Sequence, residues 1–136
     1  MNRWFLSAGL LACFTALVHV FAGGPGVAEP LLRSSIDDVP RLTMYACWHL
    51  VSAALAGSGL ALLAAARPAA ELQARALVGF IAVLWLAFGL VILSVALQQP
   101  GAGWIWKMPQ WLALMPVGLL GLAGLRRPAP ATVFAN

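Results

Sequence analysis

The chain has 136 residues, 62% of them hydrophobic and only 9% charged, and its formal net charge is +4. Soluble domains carry about 25% charged residues, so this composition excludes a water-facing globular surface and predicts a protein of the lipid bilayer. No stretch interleaves basic and aromatic residues, which argues against nucleic acid as a partner. The two cysteines, Cys13 and Cys47, lie in apolar runs and are too few for a disulfide framework.

Four apolar segments follow one another, each close to the roughly 20 residues that cross a bilayer as a helix. They are residues 4–21, 42–66, 72–97 and 104–125. Glycine and proline in "GGPG", at 23–26, and in "QQPGAG", at 98–103, favour turns between segments. The sequence therefore predicts an all-α fold, a bundle of four transmembrane helices that forms a single domain over 1–136, with an outer loop at 22–41.

The first segment has a second interpretation, because "LLAC" at 10–13 is similar to a lipoprotein cleavage site. Only one charge and a short apolar stretch precede Cys13, and the apolar run continues past it to Phe21. A cleaved lipoprotein usually has a polar tether after its cysteine, so this pattern favours a retained helix. At the other end of the chain, "RRPAPA" at 126–131 predicts where the last helix stops.

The basic residues predict the orientation, since they gather on the cytoplasmic side of membrane proteins. With the N-terminus inside, five of the eight are cytoplasmic and three are outside. The inner five are Arg3, Arg67, Arg75, Arg126 and Arg127, and the outer three are Arg33, Arg41 and Lys107. This bias predicts that both the N-terminus and the C-terminus are inside, although the reverse orientation stays open.

Small residues and tryptophans predict how the helices pack. Ala8, Ala12 and Ala16 form one row on the first helix, and Ala53 and Gly57 form another on the second. Such rows let helix backbones approach closely in lipid, so we expect these two rows to touch. Trp4, Trp48, Trp104, Trp106 and Trp111 lie near segment ends, as is typical of the headgroup level. Trp85 lies near mid-membrane, where we expect it to pack against other helices.

Both histidines of the chain, His19 and His49, fall in the outer half of consecutive helices, on faces rich in small or polar residues. Tyr45 shares the face of His49, and Gln110 lies at a similar depth near the start of the fourth helix. Polar groups in hydrocarbon are costly unless paired, so a polar layer in one leaflet predicts a site. The alternative is that each histidine merely makes a hydrogen bond to a neighbouring helix.

Several functions fit this layer, and the first is a pocket that binds a metal, haem or a small apolar ligand. His19 and His49 could ligate a haem iron axially or supply half of a copper or zinc shell, with Tyr45 and Gln110 beside them. The first alternative is an accessory subunit of a larger membrane complex or a homo-oligomer, in which the histidines are structural. The second is an enzyme that uses histidine as acid and base on an apolar substrate.

The stretch "HVFAGG", followed by "CWH", resembles small bacterial four-helix membrane proteins of uncharacterised function. The resemblance covers the first two helices and implies a fold and a bacterial inner-membrane location. It implies no activity and assigns no site residue.

Overall fold

A computed structural model describes residues 1–101 and 103–127, and all regular structure in these ranges is helical. Of the predicted helix stop at 126–131, residues 128–131 lie outside the described residues. The chain forms six α-helices, and a π-helical turn at Gly24–Ala28 lies between the first and the second. These helices are α1 (Arg3–Phe21), α2 (Glu29–Leu32), α3 (Asp38–Ala65), α4 (Glu71–Leu97), α5 (Trp104–Lys107) and α6 (Trp111–Leu125).

The all-α prediction is confirmed. Helices α1, α3 and α4 are long and apolar enough to cross a membrane, whereas α6 is a shorter apolar helix of 15 residues. The fourth apolar segment is divided into α5 and α6 because Pro109 has no backbone N–H and disfavours helical geometry at the residue before it. Met108 accordingly leaves the helical region, with φ −120° and ψ 65°.

The packing order differs from the chain order. Helix α1 packs against α3, as expected for consecutive helices, and also against α6, which in turn packs along α4. Helix α6 can lie this close because its contact face is rich in glycine. A Cβ atom at Gly118 would lie 2.6 Å from the Ala82 carbonyl oxygen, and one at Gly121 would lie 2.9 Å from Ala82 Cβ. Helices α3 and α4, although joined by a short connection, touch much less.

Trp85 fills the centre of the bundle, as the sequence predicted. Its side chain is 1% exposed, and its indole Nε1–H donates a 2.9 Å hydrogen bond to Ser58 Oγ on α3. This bond is a direct polar link between α4 and α3. Around it lies a core of small and aliphatic side chains from α1, α3, α4 and α6, including Ala12, Leu62 and Val117.

The two predicted small-residue rows have different outcomes. On α1, Ala8 and Ala12 are fully buried and Ala16 is 8% exposed, so that row faces a neighbour as predicted. The prediction for α3 is wrong, because Ala53 and Gly57 are exposed and a Cβ atom at Gly57 would meet nothing within 4 Å.

The face of α3 that does meet α1 carries Leu55, Gly59 and Leu62, which are all buried. It lies two positions away from the predicted row, on nearly the opposite side of the helix. A Cβ atom at Gly59 would lie 2.9 Å from Cys13 Sγ and 3.1 Å from the Cys13 backbone nitrogen. The leucines occupy the space beside the α1 alanines, and the glycine permits the closest approach of the two backbones.

The outward surface of the bundle is strongly apolar. Large side chains such as Leu10, Phe14, Leu50 and Phe80 are each more than half exposed. Monomeric soluble proteins rarely expose contiguous apolar surface of this kind. The surface instead suits contact with lipid tails, in agreement with the three long apolar helices.

The end of the bundle formed by residues 1–5, 66–75 and 124–127 is fastened by one buried asparagine, and we call it the arginine end. Asn2 Oδ1 accepts hydrogen bonds from the N–H groups of Trp4 and Phe5, which caps α1. Its Nδ2 donates to Glu71 Oε1 at 2.8 Å and to the Gly124 carbonyl at 3.4 Å. Its backbone N–H donates to the Ala66 carbonyl at 3.0 Å. A single residue thus joins α1 to the ends of α3, α4 and α6.

Candidate functional site

An open groove lies at the opposite end of the bundle, where α1 ends and the chain folds back over the start of α3. It encloses about 350 Å³ and has mostly apolar walls. The lining residues are Val20, Phe21, Gly24, Pro25, Ala28, Glu29, Leu32, Tyr45, Trp48 and His49. We call the part of the molecule formed by residues 20–49, 97–101 and 103–111 the groove end.

The glycines and the proline after α1 shape this groove. Pro25 lies at the start of the π-helical turn, where its missing N–H is tolerated. A Cβ atom at Gly23 would lie 2.6 Å from Trp48 Cη2, so only glycine leaves room for the indole against this turn. The turn and α2 then form one wall of the groove, and α3 forms the other.

His19 is half-buried and contacts Trp48 in two ways. Its imidazole stacks on the indole, with ring centroids 3.8 Å apart and an interplanar angle of 19°. Its Nε2–H donates to the Trp48 backbone carbonyl at 3.4 Å, since a carbonyl oxygen can only accept. This contact matches the interhelical hydrogen bond that the sequence left open as an alternative. It holds the end of α1 against α3.

His49 and Tyr45 lie one turn apart on α3, and both line the groove. Their rings meet edge to face, with centroids 4.6 Å apart and an interplanar angle of 86°. His49 is exposed and Tyr45 is half-buried. Glu29 adds a carboxylate to the groove, and its Oε2 is 3.3 Å from Nη2 of Arg33 in a solvent-exposed ion pair. The groove therefore offers an imidazole, a phenol and a carboxylate.

The structure brings only part of the predicted site together. Tyr45 and His49 share the groove, whereas His19 contacts Trp48 and is not a lining residue. Gln110 is exposed just before α6 and does not line the groove either. Within residues 1–101 and 103–127, no three His, Cys, Asp or Glu side chains are grouped in a way that could hold a metal ion. The predicted metal ligands His19 and His49 stay a prediction.

Sequence reasoning missed most residues of the groove wall, Trp48 among them. Trp48 was interpreted as a headgroup anchor, yet it lines the groove and supports His19. Glu29 belongs to the outer loop, where acidic residues are normally solvated. One signal pointed to Trp48, because it directly precedes His49 and lies one turn after Tyr45 on the same helix.

No protein-family model, no curated protein and no solved structure matches this chain. The resemblance to small bacterial membrane proteins therefore stays a prediction. The function is inferred from the groove and from the charges at the two ends of the bundle.

Proposed function

We propose that this chain is an integral membrane protein whose groove binds a small, largely apolar ligand that carries one polar group. The observation that supports this is the groove itself, with about 350 Å³ enclosed by apolar walls and only a few polar side chains. Ligand sites are typically clefts of about 300–1,000 Å³ with this composition. A ligand of this class dissolves in lipid and would reach the open groove from the bilayer.

Each part of the groove has a separate role in this proposal. Phe21 and Trp48 cover the apolar body of the ligand, since aromatic rings bury large areas. Tyr45 and His49 form hydrogen bonds with its polar group, and the exposed side of His49 suits an approaching ligand. His19 acts as a positioning residue, because its stacking and hydrogen bond hold Trp48 in place.

A bound metal or haem is a less favoured reading of the same site. A copper or zinc site needs ligands beyond two histidines. Axial haem ligation needs both imidazoles, and His19 would have to give up or share its contact with Trp48. The absorbance spectrum and metal content of gently purified protein separate these outcomes, since a Soret band would select haem.

The accessory-subunit alternative is supported by one observation on α3. Ala53 and Gly57 form an exposed small-residue row with open space around the glycine. Rows of this kind favour close helix contacts in membranes. Cross-linking from position 57 in native membranes would test whether a second protein lies there. The enzymatic alternative stays a prediction.

For the ligand, we expect Gly24→Leu to abolish binding without disturbing the fold. Gly24 lines the groove, and a Cβ atom there would meet nothing within 4 Å, so leucine enters empty ligand space. Gly26→Leu is the matched control, because Gly26 has the same free space and is not a lining residue. The measurement is mass spectrometry of organic extracts from the two purified variants and the parent. Equal small-molecule content in all three proteins would refute the groove as the site.

His49→Ala should weaken the binding of the same ligand by about 2- to 10-fold, which is the effect of losing one hydrogen bond. Cys47→Ala serves as its control, since Cys47 is exposed on the same helix and does not line the groove. Occupancy in the extract reports the change. An unchanged occupancy in His49→Ala would remove His49 from the site.

We further propose that the protein lies in the bacterial inner membrane and that the arginine end of the bundle is on the cytoplasmic side. Five of the eight basic residues belong to that end, which supports the N-in, C-in orientation. In a background of Cys13→Ala and Cys47→Ala, Ser35→Cys should react with an impermeant maleimide in intact cells. Ala69→Cys should react only after permeabilisation. The opposite labelling pattern would reverse the topology.

A further inference from the structure

The net charge of the protein is confined to one end of the bundle. The arginine end carries Arg3, Arg67, Arg75, Arg126 and Arg127. Glu71 is the single carboxylate side chain there, so five cations against one anion leave the whole formal charge of +4. The groove end has three basic and three acidic side chains and is neutral.

The cations of the two ends also differ in their partners. Both ion pairs among the described residues, Arg33 with Glu29 and Arg41 with Asp38, belong to the groove end. At the arginine end, Glu71 is 6% exposed and accepts a hydrogen bond from Asn2, so its carboxylate is turned away from the surface. The exposed basic side chains there are Arg3, Arg67, Arg126 and Arg127, and in the described part of the chain none has a carboxylate partner.

Three of these arginines lie at the adjoining ends of α1 and α6, two helices that pack against each other and form a seam. The Arg127 guanidinium lies over the Trp4 indole, 5.9 Å from the ring centroid. A Cβ atom at Gly124 would lie 3.0 Å from Trp4 Cβ, so the end of α6 is pressed against the start of α1. Arg3 and Arg126 are the chain neighbours of Trp4 and Arg127. The seam thus combines a partly exposed indole with a concentration of positive charge.

We propose that this seam binds the phosphate headgroups of anionic phospholipids. Guanidinium groups form paired hydrogen bonds with phosphate oxygens, and every basic residue of this end is an arginine. An indole beside them suits the headgroup level of a bilayer. The site is separate from the groove, and it requires membrane insertion but neither a groove ligand nor a particular orientation.

The test is a lipid titration of the full chain in zwitterionic detergent micelles, with bound lipid counted by native mass spectrometry. Phosphatidylglycerol should bind more tightly than phosphatidylcholine. The double substitution Arg126→Gln and Arg127→Gln should weaken the binding of phosphatidylglycerol by about 5-fold for each arginine. The binding of phosphatidylcholine should not change. The matched control replaces Arg33→Gln and Lys107→Gln, two exposed cations of the groove end, and should change binding less than 2-fold.

Three results would overturn the proposal. The first is equal binding of the two lipids by the parent, and the second is an equal loss in both double variants, which indicates unspecific charge attraction. The third is complete displacement of phosphatidylglycerol by 10 mM inorganic phosphate, which indicates a site for free phosphate. If the variant with both Arg126→Gln and Arg127→Gln aggregates, Arg3→Gln is measured in its place and should weaken the binding of phosphatidylglycerol by about 5-fold.

Discussion

Replacing Gly59 by leucine should destabilise the bundle by about 1–3 kcal/mol, while the same change at Gly57 should alter stability by less than about 0.5 kcal/mol. A side chain at Gly59 meets the Cys13 backbone nitrogen at 3.1 Å, so α3 would have to move away from α1. A side chain at Gly57 enters open space. The two variants make the same chemical change two positions apart on one helix.

Unfolding of the purified variants by titration with a denaturing detergent gives the comparison. Gly57→Leu is the control for the propensity and hydrophobicity of leucine. A loss of stability in Gly57→Leu equal to that in Gly59→Leu would place the α1–α3 contact on the wrong face of α3. A loss confined to Gly57→Leu would instead indicate a second chain packed on the exposed row.

Asn2→Asp should destabilise the protein by about 2 kcal/mol or more. The new buried carboxylate would lie beside the Glu71 carboxylate, and no donor would remain between the two acceptors. The new carboxylate can still accept from the N–H groups of Trp4 and Phe5, so the helix cap is kept. What is lost is the Nδ2 donor, which lies 2.8 Å from Glu71 Oε1. The effect therefore separates the two contacts of Nδ2, to Glu71 on α4 and to the Gly124 carbonyl on α6, from the capping of α1.

A second substitution makes this test specific. Adding Glu71→Gln supplies an amide donor to the new carboxylate and should restore a large part of the lost stability, which a double-mutant cycle would measure as coupling. Ser7→Ala is the control, since Ser7 is exposed on the same helix. Additive effects of the two substitutions would show that Asn2 and Glu71 act independently.

Some features of this protein follow directly from its sequence. Segment length and hydropathy predicted α1, α3 and α4, because a helix that crosses lipid needs a long uninterrupted apolar run. The alanine row at Ala8 and Ala12 was correctly assigned to a helix contact. The gathering of arginines near four segment ends was visible as well. These properties depend on local composition, which can be obtained from the sequence without knowledge of the packing.

The candidate site was predictable only in part. Tyr45 and His49 were placed together because residues four apart share a helix face. His19 was placed at a compatible depth, but its stacking on Trp48 depends on how α1 leans against α3. The groove itself depends on the path of residues 22–37, where the π-helical turn and α2 fold back over α3. No periodic pattern encodes such a path.

Tertiary structure alone decided which face of α3 meets α1, that α6 packs between α1 and α4, and that Asn2 reaches Glu71. The physical reason is that lipid is as apolar as the core of the bundle, so hydrophobicity does not distinguish inward from outward faces. Gly57 and Gly59 are equally small, and only the fit against Cys13 selects Gly59. Asn2 and Glu71 are far apart in the chain, so their hydrogen bond exists only once the four helices have assembled.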